Sequence, residues 1–334
     1  MELSALPQIW AGIIAFAILV YVVLDGFDLG VGMLFAFTRN ESWRTQMHAA
    51  IAPVWDGNET WLILIGASLF GAFPLIYAIF LSAFYVPVTL MLFALIFRGV
   101  SFEFRHQAPA HRGLWDWGLI SGSAVATFVQ GAAIGTMVQG LPIVESRYAG
   151  DGWEWFAAFP VFCGFGLMIG YTLLGACWLV LKCSGELRIW AVDLIRPLTL
   201  SVLAFLGLVL FHALWAEMPV MRRWVEVPSM AVLPVLGAFA AYGLLRWPQR
   251  AKSDWMPFAL TAGIFLAAFL TLASSFWPYM VPFSITVDDA AAPQASLSFM
   301  FYGAALFAFP VVIIYTTAVY WIFRGKVGDP TGHH

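Results

Sequence analysis

The chain has 334 residues, of which 62% are hydrophobic and only 10% charged, with a formal net charge of −3 and a mean hydropathy of +0.85. Soluble domains carry about 25% charged residues, so this composition excludes an ordinary water-soluble domain and makes a bilayer the solvent. The basic residues are scattered and give no footprint for nucleic acid.

A membrane-crossing helix needs about 20 apolar residues. Taken in chain order, nine such stretches are predicted, at about 8–37, 50–70, 76–98, 115–140, 155–182, 191–215, 229–246, 256–278 and 299–323. The first follows MELSALPQIW, which has no basic leader; the run is too long for a signal peptide and is expected to stay in the mature chain. This first span carries VLDGFDLGVG, residues 23–32, with Asp25 and Asp28 at i, i+3 and therefore near one helix face. Gly26 and Gly30 form a G-x-x-x-G that lets a neighbouring helix approach closely, and a partner protein is expected to cover that face.

The second span opens with PVWDGNETWL, residues 53–62, which repeats the spacing with Asp56 and Glu59. Asp28 lies about 15 Å before the short connection near 38–49; Asp56 lies about 10 Å and Glu59 about 15 Å after it. The acids of the two helices are therefore expected to face each other at similar depth. A carboxylate at mid-bilayer costs about 2.5–3.5 kcal/mol, and intramembrane acids are functional by default. Burial and a neighbouring carboxyl both favour the protonated form, which suits a proton carrier. The competing reading is a structural cluster paired with Arg98 or Arg105. The third span ends in FRGVSFEFRHQ, where Glu103 is either the mouth of a proton route or a boundary charge paired with Arg105.

Further along, Cys163, Cys177 and Cys183 show no disulfide or metal spacing and read as small apolar fillers. Of the six histidines only His212 falls inside a predicted span, near its outer end. One buried histidine cannot supply bis-histidine haem ligation, and no nucleotide motif is present. Any redox centre is expected on a partner, with no metal held here. The longest connection, near 279–298, is broken by Pro, Asp and small residues. All but three of the 16 Lys and Arg, the exceptions being Arg147, Arg222 and Arg223, fall on one side of these spans. Basic residues stay cytoplasmic, so the N-terminus is placed outside and the C-terminus inside, which agrees with an odd number of spans.

LDGFDLGVGML, IAPVWDGNETWLI and FRGVSFEFRH, in this order on spans 1 to 3, resemble subunit II of the cytochrome bd-type quinol oxidases. WDWG at 115–118, SGELR at 184–188 and FWPYMVP at 276–282 extend the resemblance through nearly the whole chain, and the compact length is similar to the members often called cyanide-insensitive. The resemblance implies an all-α multi-pass protein of the bacterial cytoplasmic (inner) membrane, with two four-helix bundles (8–140 and 155–278) and a peripheral helix (299–323). It implies a partner, subunit I, carrying two b-type haems and one d-type haem, with small single-helix subunits joining. The complex would reduce oxygen to water with quinol electrons and cytoplasmic protons. Asp56 and Glu103 match acids of the family's proton path, although the family often has Asp where this chain has Glu103. Asp28 matches an acid near the haems, and Trp55 an aromatic beside a structural quinone. The other reading of the same acids is a stand-alone secondary transporter or proton channel. It predicts an inverted repeat, whereas the weak similarity of RNESWR (39–44) to KCSGELR (182–188) would be a parallel one.

Overall fold

The computed structural model describes residues 5–216, 218–247 and 253–327. His333 and His334, and the basic residues Arg250 and Lys252, lie outside the described residues. The described chain is a stack of long helices with two small hairpins. Eight helical segments are long and apolar enough to cross a membrane.

Helix α1 (Leu6–Leu34) starts on Pro7 and runs for 29 residues. Its last ten residues, Asp25 to Leu34, are all buried, because α3, α6 and α7 surround it. Asn40 caps the next helix, α2 (Glu41–Ile51), by accepting from the backbone N–H groups of Ser42 and Trp43. A turn at 52–54 separates α2 from α3 (Trp55–Ala72). The second predicted span thus begins five residues later than expected, and it is α3, with its acids and Asn58, that falls outside the eight apolar segments.

Phe73 precedes a proline and leaves the helical region, as the proline ring demands of its neighbour. The short helix α4 (Pro74–Ala83) follows, then Phe84 and α5 (Tyr85–Gln107). The third predicted span stopped at Arg98, but α5 runs on for nine residues. Arg98 is not a boundary charge; it is 1% exposed.

The remaining long helices are α6 (Arg112–Gln139), α7 (Ala158–Lys182), α8 (Gly185–Trp215), α10 (Val232–Arg246) and α11 (Trp255–Phe276), with a short α9 (Pro219–Glu226) between α8 and α10. Two antiparallel pairs, β1–β2 (Ile143–Val144 with Arg147–Tyr148) and β3–β4 (Tyr279–Val281 with Ile285–Thr286), sit in the 140–157 and 277–293 connections. A capping box between Thr286 and Asp289 starts the one-turn α12 (Val287–Ala290). The last pass is α13 (Gln294–Met300), a π-helical stretch Phe301–Ala305, and α14 (Leu306–Ile322). Helix α4, both hairpins and α12 gather at the end where α1 begins, around Leu6, Trp10, Phe73, Ile76 and Val281.

Helices α1 and α7 cross at glycine. A Cβ on Gly30 would overlap the Tyr171 carbonyl, and one on Gly175 would stand 2.5 Å from the Gly30 carbonyl carbon and the Val31 nitrogen. Gly26 lies under the Tyr171 ring. The G-x-x-x-G face is therefore covered by α7 of the same chain, which corrects the expectation that a partner covers it. Lipid is as apolar as leucine, so such helix pairs are held by close van der Waals packing.

A candidate proton site of buried carboxyls

Asp25 and Asp28 are fully buried on α1. Asp25 Oδ1 accepts from Arg98 Nη1 of α5 at 3.2 Å, and the same nitrogen donates to Glu59 Oε1 of α3 at 2.5 Å. Asp28 Oδ2 accepts from Asn58 Nδ2 at 2.6 Å, and Asn58 in turn accepts from the Tyr320 hydroxyl of α14 at 2.9 Å. Four helices thus converge on three carboxyls and one guanidinium. If every group were ionised, the one guanidinium would leave two negative charges uncompensated, which is costly away from water. Asp25 Oδ2 and Asp28 Oδ1 are buried with no hydrogen-bond partner. Each is the second oxygen of a carboxyl whose first is already held.

The five acids expected from sequence divide here. Asp25, Asp28 and Glu59 come together. Asp56 is exposed and does not face Asp28; its backbone carbonyl accepts from the Thr60 hydroxyl. Glu103 is exposed as well, and Arg105 does not pair with it. Arg105 instead binds Asp116 at 2.6 Å and Glu41 at 2.9 Å, and Arg44 holds the other Asp116 oxygen at 2.7 Å. Glu59 is intermediate, with 24% of its side chain exposed. It is the member of the buried cluster that reaches the surface bearing Asp56, one turn away.

Trp55 packs against Phe102 and lies over Gly99. Phe102 also stacks on the buried His48, whose Nε2 is 3.0 Å from the Phe102 carbonyl oxygen. His48, on α2 outside the long helices, escaped the span-based reading of histidines. So did a second polar chain: Tyr171 donates to Gln130, and Gln130 to Tyr21, one turn before Asp25 on α1. Tyrosine and glutamine at helical spacing among apolar residues give no distinctive signal. Asn58 had one, its place inside the WDGN block.

The two histidines buried in or stacked within the helices, His48 and His212, do not form a bis-histidine pair. His212 stacks on Phe159 and His48 on Phe102, on different helices and in separate surroundings. No group of three or more His, Cys, Asp or Glu able to hold a metal occurs among the described residues.

At the opposite end of α7, Arg188 grips Asp254 through two nitrogens and Lys326 donates to Asp254 at 2.6 Å. Lys326 also donates to the Val180 and Cys183 carbonyls, and Lys182 to those of Phe323 and Gly325. Partial burial opposes the Asp254 charge, but the bonds from Arg188 and Lys326 outweigh it and hold the carboxyl below the usual range.

The model of the family described as cytochrome bd terminal oxidase subunit II matches residues 6–323. The chain belongs to that family. Subunit 2 of the cytochrome bd-I ubiquinol oxidase of Escherichia coli K12 is 28% identical, over 98% of this chain and 96% of its own length. Cytochrome bd ubiquinol oxidase subunit 2 of Bacillus subtilis is 30% identical, over 97% and 98%. The fold is also that of a chain of the bd oxidase from Geobacillus thermodenitrificans, with a TM-score of 0.71 at 15% identity over 95% of this chain and 99% of that one. As a cytochrome bd subunit II, the chain is part of a haem-dependent oxidoreductase complex and has a subunit I as its partner. The stand-alone transporter reading is set aside.

Proposed function

We propose that this chain scaffolds the haem-bearing subunit I of a quinol:oxygen oxidoreductase and supplies a cytoplasmic route for the protons consumed in reducing oxygen to water. The observation that carries the reading is the cluster of three carboxyls around Arg98, with Glu59 linking its buried part to the exposed face. Asp56 and Glu103 serve as entry groups on that face, Glu59 takes the proton inward, and Asp25 and Asp28 hold it. The exposed position of Asp56 supports this order, because an ionisable group on the lipid side of a span is costly and is better placed against subunit I or a water-filled seam.

The chain makes nine passes if α3 is counted as a span beside the eight apolar ones among the described residues. The N-terminus is then outside and the C-terminus cytoplasmic, in the bacterial inner membrane. The proposed bundles, α1, α3, α5 and α6 and then α7, α8, α10 and α11, would share a wide seam where α7 packs on α1 and α6, with α13–α14 peripheral. Two b-type haems and one d-type haem belong to subunit I. A structural quinone beside Trp55 and small single-helix subunits complete the proposed assembly.

The test is Glu59→Gln in the assembled oxidase. Haem content should stay normal while oxygen consumption per haem falls by about tenfold or more. Asp56→Asn should slow turnover less, since the exposed Glu103 offers a second entry. Wild-type turnover of Glu59→Gln at every pH would refute the route.

A further inference from the structure

Asn58 and Tyr320 are not acids, and no part of the proton route above uses them, yet they form the tightest polar connection to Asp28. Asn58 is 1% exposed. Its Nδ2 donates to the Leu24 backbone carbonyl at 3.3 Å as well as to Asp28 Oδ2. A backbone carbonyl can only accept, so the amide nitrogen must face α1. The amide oxygen then faces away from Asp28 and is met by the Tyr320 hydroxyl. Rotating the amide by half a turn would set its oxygen against both the Leu24 carbonyl and the Asp28 carboxyl. The hydroxyl of Tyr320 closes the one arrangement that satisfies all three groups.

Tyr320 is placed for this by aromatic packing from three other helices. Its ring meets Phe27 of α1 edge-on at 6.5 Å and Trp178 of α7 at 6.0 Å, while Phe27 and Trp178 stack at 4.0 Å and Phe258 of α11 packs on both. Trp178 is itself tied to the Ala50 carbonyl through its indole N–H at 3.0 Å. The last pass is otherwise loosely held; it has no buried residue in Leu306–Ile322. Its one specific polar contact inside the stack ends on the residue that holds Asp28.

We propose that Tyr320 and Asn58 are positioning residues for Asp28. They keep Asn58 a donor to one carboxyl oxygen, so that the proton is exchanged at the other, the unpartnered Oδ1. The final pass then sets the geometry of the proton site from across the bundle. This inference rests on the proton-route reading given above.

The experiment uses the assembled oxidase with Tyr320→Phe, which removes the hydroxyl and keeps the ring. Oxygen consumption per haem should fall about fivefold, the equivalent of about 1 kcal/mol for one neutral hydrogen bond. The carboxyl band that disappears from the reduced-minus-oxidised infrared spectrum in Asp28→Asn should shift in frequency in Tyr320→Phe. Asn58→Leu should be slower still, and adding Tyr320→Phe to it should cost nothing more, because Tyr320 acts through Asn58. Tyr315→Phe, on the same helix but facing Gly57, should turn over like wild type. The inference is overturned if Tyr320→Phe leaves rate and band unchanged, if it loses haem in proportion to activity, or if the double variant multiplies the two losses. If Asp28→Asn itself turns over like wild type, the proton-route reading falls and this inference with it; any of the other three results removes this inference alone.

Discussion

The glycine crossing of α1 and α7 makes a sharp quantitative prediction. In Gly175→Ala the new methyl would stand 2.5 Å from two backbone atoms of α1, Gly30 C and Val31 N. Carbon atoms in contact sit about 3.5 Å apart, so the helices must separate by about 1 Å along a stretch where ten successive residues of α1 are buried. Overpacking costs about 1–3 kcal/mol. The upper end applies here because neither obstacle is a side chain that can rotate away, and about 3 kcal/mol lowers the folded-to-unfolded ratio roughly a hundredfold. Gly26→Ala meets only the Tyr171 ring, at 2.8 Å, and should cost about 1 kcal/mol while loosening the Tyr171–Gln130 bond. Gly12, on the same helix, has nothing within 4 Å, and Gly12→Ala should be neutral or gain up to about 1 kcal/mol of helix propensity. Thermal unfolding of the detergent-solubilised complex gives the order directly. Membrane levels of the chain made without subunit I separate a folding defect from an assembly defect: Gly175→Ala and Gly30→Leu should be depleted even there. If Gly175→Ala melts with wild type, or Gly12→Ala is as damaging, the crossing is not where the stability lies.

Arg98→Met should destabilise by about 3–5 kcal/mol, because it strands Asp25 and Glu59 without their cation, and most of that should return on adding Asp25→Asn and Glu59→Gln; chemical unfolding of the purified complex measures both. The clamp on Asp254 should weaken in acid. Its folded carboxyl is held below the unfolded value, so its stabilisation is complete above about pH 4 and lost as pH falls through the folded value. Hydrogen exchange of residues 323–327 should therefore accelerate at low pH in wild type and be fast throughout in Asp254→Asn. Trp178→Phe leaves the Ala50 carbonyl unpaired and should cost about 1–3 kcal/mol in the same unfolding assay.

How far the site was legible from sequence depends on a property of bilayers. Hydropathy located most of the long helices, since each brings its own apolar length, but α3 is too polar to qualify and the stretch 76–98 straddled α4 and the start of α5. It could not give the rotation of each helix about its axis, because the lipid-facing and protein-facing sides are equally apolar. That rotation decides the fate of the acids on α3. Residues three apart differ by about 60° around a helix, so the Asp56–Glu59 spacing permits one acid inside and one outside. The inward stripe of α3 is Asn58, Trp61, Ser68 and Ala72. It turns Glu59 to the edge of the buried region and Asp56 out of it. The same spacing on α1 puts both Asp25 and Asp28 inside only because α1 is enclosed on every side. Arg98 was legible from sequence as a pairing partner for the acids, and it does hold Asp25 and Glu59; only its full burial was out of reach. A lone arginine near the end of an apolar run reads as an interfacial charge, and only the arrival of Asp25 from α1 and Glu59 from α3 makes it affordable in the interior. Arg98 Nη1 meets both acids, while α5 continues past it to Gln107. The burial of Arg98 is thus set by residues of α1 and α3 and is not encoded in the local sequence of α5.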